Sequence, residues 1–334
     1  MFLLFFLTMS LRGTSVGTDH LVYSGINAYI RNANDFLDAL DNDALGFAPT
    51  YIGIHYFVSR LVDFNQLSTI INSLIICMGF YYYIKNNSKE YQLSVFLFFS
   101  LGLFFESMNG TRQFMAIAIM LNSYTLLKKN LKSFSGWVLF LLSIGVHNTV
   151  FGFSLILLTS ILNKKIKNTK QCIILAATIA VGILLLLKVL INVVVNLFPY
   201  YSIYIDGTNG SQLLASSGNG RIAIVYISLG AIMIIANYFL KSQKNLIYVL
   251  GCQDTIASFL CVFLGTLFST DILVNRIIWQ YMCVILVYLP NLLSYMNNNR
   301  FYFKLGLFFI FSVYCFLFLW EDKSGIVPYV FFCT

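Results

Sequence analysis

Hydrophobic residues along this chain are gathered into long continuous runs that short polar stretches separate. Many runs approach 20 residues, about the length an α-helix needs to cross the ~30 Å hydrocarbon core of a bilayer. A transmembrane β-barrel would instead alternate over about 10 residues. The predicted crossings are residues 66–84, 91–108, 113–127, 171–197, 221–240, 245–268, 277–295 and 305–320. The pattern predicts an all-α, polytopic integral membrane protein with about 10–11 transmembrane helices in all.

Three apolar segments do not fit a simple crossing. The N-terminal MFLLFFLTMS lacks a basic leader and a small-residue cleavage site, so we interpret it as a first, short helix rather than a cleaved signal peptide. Residues 50–62 are too few to span, which favours an interfacial or re-entrant helix. Residues 134–162 have lysines at both ends and predict a hairpin with His147 and Asn148 at its apex. Each limb of ~14 residues reaches only about 21 Å, so His147 is expected below the outer surface.

Lysines are concentrated at one end of the predicted helices. Their clusters lie at residues 85–89, 128–132, 164–170, 241–244 and 300–304. Because cytoplasmic loops carry an excess of basic residues, these clusters predict the cytoplasmic side. Two larger extracytoplasmic loops follow, at about residues 12–49 and 198–220. The chain has no internal repeat, soluble domain or linker rich in proline and serine, so residues 1–334 are predicted to form a single membrane domain.

Composition supports the membrane assignment. The 334 residues are 59% hydrophobic and 17% aromatic, and only 10% are charged. Most of the net charge of +8 comes from lysines in the predicted cytoplasmic loops, so it does not indicate a nucleic-acid partner. The seven cysteines are scattered through apolar runs without a CxxC pair, which argues against a disulfide framework or a zinc site.

Arginines follow a different distribution from lysines. Five of the seven lie at predicted extracytoplasmic helix ends or in loops there: Arg12, Arg31, Arg112, Arg221 and Arg276. The positive-inside tendency disfavours that placement. The planar, permanently charged guanidinium is the preferred protein group for binding phosphate. The distribution indicates an anionic substrate at the extracytoplasmic face, although Arg31 is interpreted as merely solvated.

Three arginines begin predicted inward-running helices directly after an extracytoplasmic loop. Arg112 follows a flexible Asn-Gly pair and is joined by Gln113, while Arg221 and Arg276 hold equivalent positions. A helix N-terminus adds dipole and donor support for an anion. On one face of a bundle, the three would clamp a pyrophosphate. The alternative is that each arginine only anchors its helix end at the membrane surface.

Histidine and tyrosine side chains supply further candidates. The apex position of His147 favours a general base or substrate donor, and the alternative is a packing residue bonded to a carbonyl. His20 and His55 are weaker candidates. Four loop tyrosines are candidates for stacking on sugar rings, or else belong to the interfacial aromatic belt. They are Tyr23, Tyr200, Tyr201 and Tyr204.

Absent motifs exclude several activities. The chain contains no phosphate-binding GxxxxGK[ST] loop, no HExxH pair and no GxSxG elbow. No DxD-type cluster lies on the predicted cytoplasmic side, where it would hold a metal and a nucleotide sugar. A transferase of this kind is therefore expected to use a lipid-linked donor.

Four segments together resemble a known family. They are LRGTSVGTDHLVY (Leu11–Tyr23), NGTRQFMAIAIMLNSYTLLKKN (Asn109–Asn130), GVHNTVFGF (Gly145–Phe153) and NRIIWQYM (Asn275–Met282). In this order they resemble the EpsG/Wzy-type polymerases of bacterial O-antigen and exopolysaccharide. Residues 47–50 depart from that pattern, because the acid of a Glu-Pro-Gly-like turn is missing.

The resemblance implies a glycosyltransferase of the bacterial cytoplasmic membrane that polymerises undecaprenyl-pyrophosphate-linked repeat units at the extracytoplasmic face. Arg12, Arg112, Gln113, Arg221 and Arg276 would bind the pyrophosphate leaving group. His147 or Asp19 would accept the proton of the acceptor hydroxyl. No metal or other cofactor is expected. The expected partners are the lipid-linked donor and acceptor, the bilayer and a chain-length regulator, and no nucleic acid.

Three other activities stay open. A flippase for the same lipid-linked unit would need a cavity accessible from both faces, whereas the arginines collect on one side. A ligase that joins the glycan to another acceptor uses the same chemistry as a polymerase. An O-acyltransferase would need a cytoplasmic acyl donor, which is remote from the predicted position of His147.

Overall fold

The computed structural model describes most of the chain as helix. The described residues are 1–41, 48–61, 66–162, 166, 168–197, 221–240, 250–268, 272–296, 300–322 and 324–332. Within them, the extended backbone pairs at one place only, an antiparallel bridge between Arg12 and Phe331. The all-α prediction is confirmed. The chain divides into two compact units, which are described separately below.

Unit 1 comprises Met1–Asn87, Tyr91–Phe151 and Leu307–Thr334. Its helices are α1 (Phe2–Ser10), α2 (His20–Asn32), α3 (Phe36–Leu40), α4 (Pro49–Leu61), α5 (Leu67–Asn87), α6 (Tyr91–Ser100), α7 (Leu103–Asn109), α8 (Thr111–Lys129) and α9 (Phe134–Val146). The segment predicted as one extracytoplasmic loop, residues 12–49, therefore contains the helices α2 and α3.

Helix α8 is the core of unit 1, and it packs against α5 and α9. Small residues allow the close approach. A Cβ atom on Gly79 of α5 would lie 2.7 Å from the Cβ atom of Ala118 in α8. On the other side, the hydroxyl of Ser123 donates to the carbonyl of Gly136 in α9 at 2.7 Å. Such contacts are typical of helices that pack inside a membrane, where dispersion replaces the hydrophobic effect.

Unit 2 comprises Ser88–Glu90 and Gly152–Gly306. Its helices are α10 (Ser154–Leu158), α11 (Thr169–Leu197), α12 (Arg221–Phe239), α13 (Cys252–Phe268) and α14 (Ile272–Ser294). Helix α13 packs against α11, α12 and α14. The last helix, α15 (Arg300–Glu321), belongs to unit 1 from Leu307 onward.

Several helices have the length and apolarity of membrane spans. Among the described residues, Leu67–Asn87, Val274–Ser294 and Arg300–Glu321 meet both requirements, and the pair α6–α7 raises the number from three to four if it is a single span bent by 53°. The bend falls at Gly102, whose φ of +79° lies in the left-handed region that favours glycine. The membrane character is therefore supported, while the count of 10–11 crossings stays a prediction.

Two features of the predicted topology appear in the structure. The segment predicted not to span forms α4, which has only 13 residues. Helix α9 ends at Val146, next to the predicted apex, and His147 has extended backbone angles, while the hairpin itself stays a prediction. A 3-10 helix, Asn148–Phe153, follows the break.

Candidate functional site

Arg12 is the most unusual residue of unit 1, because it is a charged side chain that is only 1% exposed. It lies between α1 and α2. Its Nη2 donates to the hydroxyl of Thr111 at 3.0 Å and to Nδ1 of His20 at 3.3 Å. No described residue bonds to its Nε or Nη1 atoms. A buried guanidinium with unused donors is costly, which makes it a candidate for ligand binding.

The environment of Arg12 leaves its charge in place. Burial lowers the pKa of Arg12 to about 10, against the smaller opposing influence of Tyr329 and Tyr23. The guanidinium is therefore protonated at neutral pH and carries a full positive charge into the interior of unit 1.

Two elements hold the backbone at Arg12. The C-terminal segment, residues 324–332, runs beside the N-terminal one. Its backbone bonds join Gly13 N–H to the Val330 carbonyl, and Phe332 N–H to the Leu11 carbonyl, both at 2.7 Å. Gln66 lies on the other side, where its amide donates to the carbonyl of Arg12 at 2.8 Å.

Arg12 lines a cavity of about 330 Å³. That volume falls within the range of about 300–1,000 Å³ that is usual for small-ligand sites. Arg31 is the second cation of the wall, and no described residue that lines the cavity is acidic. The sequence suggested that Arg31 is merely solvated, but the structure places it at this cavity.

Three helix N-termini meet at the cavity. His20 begins α2, Leu67 begins α5 and Thr111 begins α8, and all three residues line the wall. Neither α2 nor α8 has a side-chain hydrogen bond that caps its first turn. Unsatisfied N–H groups and the positive end of the helix dipole favour an anion at such a place.

His20 is held as a neutral hydrogen-bond donor. An arginine can only donate, so Nδ1 of His20 accepts from Arg12 and its proton resides on Nε2. Burial, and secondarily the charge of Arg12, lower the pKa of His20 to about 4. At neutral pH the ring thus presents an N–H group rather than a lone pair.

His55 is bonded through its Nε2 atom, whereas His20 is bonded to Arg12 through its Nδ1 atom. The ring of His55 is 3% exposed and lines the cavity, and its Nε2 lies 3.0 Å from Oδ1 of Asn72. Tyr51 packs against the imidazole, and its hydroxyl donates to Oδ1 of Asn27 at 3.1 Å. Burial lowers the pKa of His55 to about 4, although the bond to Asn72 opposes the shift.

The N-terminal motif of the sequence is largely assembled at this cavity. Arg12, His20 and Tyr23 line it. Asp19 is the N-cap residue of α2, and its backbone N–H donates to Oδ1 of Asn109 at 2.9 Å. Asp19 is not among the described lining residues, so its predicted catalytic role stays a prediction.

Arg112 and Gln113 begin α8 next to Thr111. Gln113 is buried. Burial raises the pKa of Tyr51, and the positive charge of Arg112 opposes that shift. Arg112 is not one of the described residues that line the cavity.

His147 belongs to unit 1 and is buried, at 8% exposure. Its Nδ1 lies 2.9 Å from the hydroxyl of Thr149. It is not one of the described residues that line the Arg12 cavity. Its role as a base stays a prediction.

The remaining predicted site residues belong to unit 2 or lie outside the described residues. Arg276 lies near the start of α14 in unit 2. Arg221 begins α12, as expected for a helix that follows a loop. Tyr200, Tyr201 and Tyr204 lie outside the described residues. The three-arginine clamp and the tyrosine contacts accordingly remain predictions.

Sequence reasoning missed three polar residues of the site: Gln66, Asn72 and Thr111. Each one is an uncharged residue next to or within an apolar helix, which is a pattern with many structural explanations. Within the described part of the chain, no group of three His, Cys, Asp or Glu side chains is arranged to hold a metal ion.

Long apolar helices of the all-α class define a multi-pass membrane protein, and unit 1 adds a polar cavity with a buried cation. A sequence model of the EpsG family matches residues 1–331. The chain therefore belongs to the EpsG family, a family of Wzy-type polymerases. No curated protein and no solved structure matches the chain.

Proposed function

We propose that this protein is a membrane glycosyltransferase that polymerises undecaprenyl-pyrophosphate-linked repeat units at the extracytoplasmic face of the bacterial cytoplasmic membrane. The observation that carries the proposal is Arg12, a buried charged guanidinium at a cavity, with two nitrogen atoms that no described residue bonds. Membership of the EpsG family supports the polymerase class.

The orientation of unit 1 supports an extracytoplasmic site. Helices α5 and α8 pack together, and both have their N-terminal ends at the cavity. Their last turns carry Lys85 and Lys128–Lys129. A helix of 19 residues is about 28 Å long, close to the thickness of a bilayer core, which supports placing the lysines and the cavity near opposite sides of the membrane. Because lysines favour the cytoplasm, this arrangement supports a cavity on the extracytoplasmic side.

The chemistry of the cavity suits a pyrophosphate leaving group. In the proposed reaction, the acceptor hydroxyl attacks the anomeric carbon of the donor glycan. The bond from that carbon to the pyrophosphate oxygen breaks, and its electron pair leaves with undecaprenyl pyrophosphate. Arg12 and the uncapped helix N-termini stabilise the charge that develops on this oxygen. Arg112, Gln113, Arg221 and Arg276 are proposed as further pyrophosphate contacts, and Tyr23 and the three loop tyrosines as glycan contacts.

The test of the proposal is Arg12→Gln in a strain that lacks the chromosomal copy of the gene. Losing one charged hydrogen bond costs about 1.5–3 kcal/mol, or roughly 10- to 100-fold in affinity. We expect the surface glycan to collapse from a ladder to single repeat units, with weaker binding of undecaprenyl pyrophosphate by the purified protein. The matched control is Gly25→Ala, because Gly25 is exposed and a Cβ atom there would meet nothing within 4 Å.

An Arg12→Gln strain with a full-length ladder would contradict the proposal. The location of unpolymerised units in a null strain separates the alternatives. Accumulation on the outer leaflet supports a polymerase, whereas accumulation on the cytoplasmic leaflet supports a flippase. Free polymer that is never attached to its final acceptor would indicate a ligase. Deletion of a chain-length regulator should alter only the ladder distribution.

A further inference from the structure

We infer that His55 is the group that accepts the proton of the acceptor hydroxyl, and that Asn72 is the residue that positions it. The inference rests on the proposed function. It assigns this step to a residue outside the motifs that drew attention in the sequence.

The hydrogen bond between His55 and Asn72 defines the tautomer of the ring. Nε2 of His55 lies 3.0 Å from Oδ1 of Asn72. An amide oxygen can only accept, so Nε2 carries the proton of the ring.

The remaining nitrogen of His55 is therefore a lone pair. Nδ1 of a neutral imidazole with its proton on Nε2 is an acceptor. No described residue bonds to this atom, and the ring lines the cavity. The ring of Tyr51 packs against the imidazole at a centroid distance of 4.3 Å and fixes its plane. The arrangement is a base with an orienting partner, in which an asparagine occupies the orienting position.

The other histidine of the cavity is unsuited to the same task. The lone pair on Nδ1 of His20 is already engaged by Arg12, and its second nitrogen carries the proton. The positive charge of Arg12 also opposes a second positive charge on that ring. His20 instead presents an N–H donor on the side of the cavity where the leaving group binds.

The proposed step balances without an additional reactant. The acceptor oxygen forms its bond to the anomeric carbon as the carbon–pyrophosphate bond breaks, and the hydroxyl proton moves to Nδ1 of His55. The resulting imidazolium releases the proton to the departing pyrophosphate or to water, which restores the neutral ring for the next addition.

The test compares His55→Gln with His147→Gln. A glutamine keeps an amide donor near the position of Nε2 but has no basic nitrogen at Nδ1. Lipid-linked repeat units extracted from a polymerase-null strain serve as the substrate for the full-length protein in membranes. We expect His55→Gln to lower the rate of polymerisation by about 100-fold or more, the usual contribution of a general base. Binding of undecaprenyl pyrophosphate should be unchanged.

Three outcomes would overturn the inference. The first is normal polymerisation by His55→Gln while Arg12→Gln is inactive, which leaves the proposed function standing. The second is loss of undecaprenyl pyrophosphate binding by His55→Gln, which indicates a structural role. The third is a selective loss of activity in His147→Gln, which assigns the base to that residue. Normal polymerisation by Arg12→Gln would contradict the proposed function itself.

Discussion

Individual residues of this site depend on burial for their properties. His20 and His55 are ordinary histidines in sequence, yet both are nearly inaccessible and have a lowered pKa of about 4. Desolvation disfavours the charged form of each ring. Both rings are therefore neutral at physiological pH, and His20 offers a donor to the cavity while His55 offers an acceptor.

The lowered pKa values predict that the protein becomes less stable in mild acid. In the unfolded chain a histidine protonates near pH 6.5, whereas these two stay neutral in the folded protein down to about pH 4. Their contribution to stability is complete above pH 6.5 and is lost as pH falls toward 4. At pH 5 each histidine is expected to lower the free energy of unfolding by about 2 kcal/mol.

Thermal unfolding of the detergent-solubilised protein at pH 7 and pH 5 measures this effect. The variant His20→Gln/His55→Gln should show a smaller difference between the two pH values than the wild-type protein does. If the variant and the wild-type protein show the same difference in unfolding temperature between pH 7 and pH 5, these two histidines do not cause the loss of stability in acid.

At the level of elements, the C-terminal segment matters as much as any helix. Residues 324–332 pair with the N-terminal segment through backbone bonds on either side of Arg12, and Phe332 lines the cavity. The two chain ends thus form one structure around the buried cation. Gly13 lies at the closest point, where a Cβ would be 3.2 Å from the Val330 carbonyl oxygen.

The variant Gly13→Val is expected to displace the backbone pairing between the N-terminal segment and residues 324–332. Overpacking of a close contact typically costs about 1–3 kcal/mol, and here the strain falls on the backbone beside Arg12. We expect a lower unfolding temperature together with weaker undecaprenyl pyrophosphate binding.

Gly306→Val is the control for Gly13→Val, because a Cβ at Gly306 meets nothing within 4 Å. If Gly13→Val binds undecaprenyl pyrophosphate as the control does, the C-terminal segment does not position Arg12.

For the whole molecule, the distribution of charge is the property that relates the fold to the membrane. Lysines lie at the end of unit 1 opposite to the cavity, as at Lys85 and Lys128. The apolar surface between those ends is partly exposed. In α15, for example, only 17% of the most apolar window is buried, which suits contact with lipid.

The predicted orientation can be tested by labelling single cysteines in intact cells. A cysteine introduced as Gly210→Cys should react with a membrane-impermeant maleimide, and one introduced as Lys165→Cys should react only after the membrane is permeabilised. Since positive residues orient the helices, the opposite result would contradict the predicted topology.

Much of the fold could be predicted from local pattern alone. The helical class, the short helix at residues 50–62 and the break at His147 follow from run length and from interruptions in hydrophobicity. Lipid imposes these features strongly, because every backbone group inside the bilayer must be bonded within its own segment. The number of crossings was not determined so directly, since several apolar helices in the structure have fewer than 18 residues.

The sequence by itself determined that this protein is an all-helical membrane protein of the EpsG family with arginines available for an anion. Only the tertiary structure decided which of them is buried at a cavity, and it brought Arg12 together with Thr111, although 99 positions separate them. It also decided that His55 lines that cavity with Asn72, whereas His147 is not among the described lining residues. The physical reason is that helix composition is a local property, whereas desolvation and hydrogen-bond direction depend on which segments pack against one another.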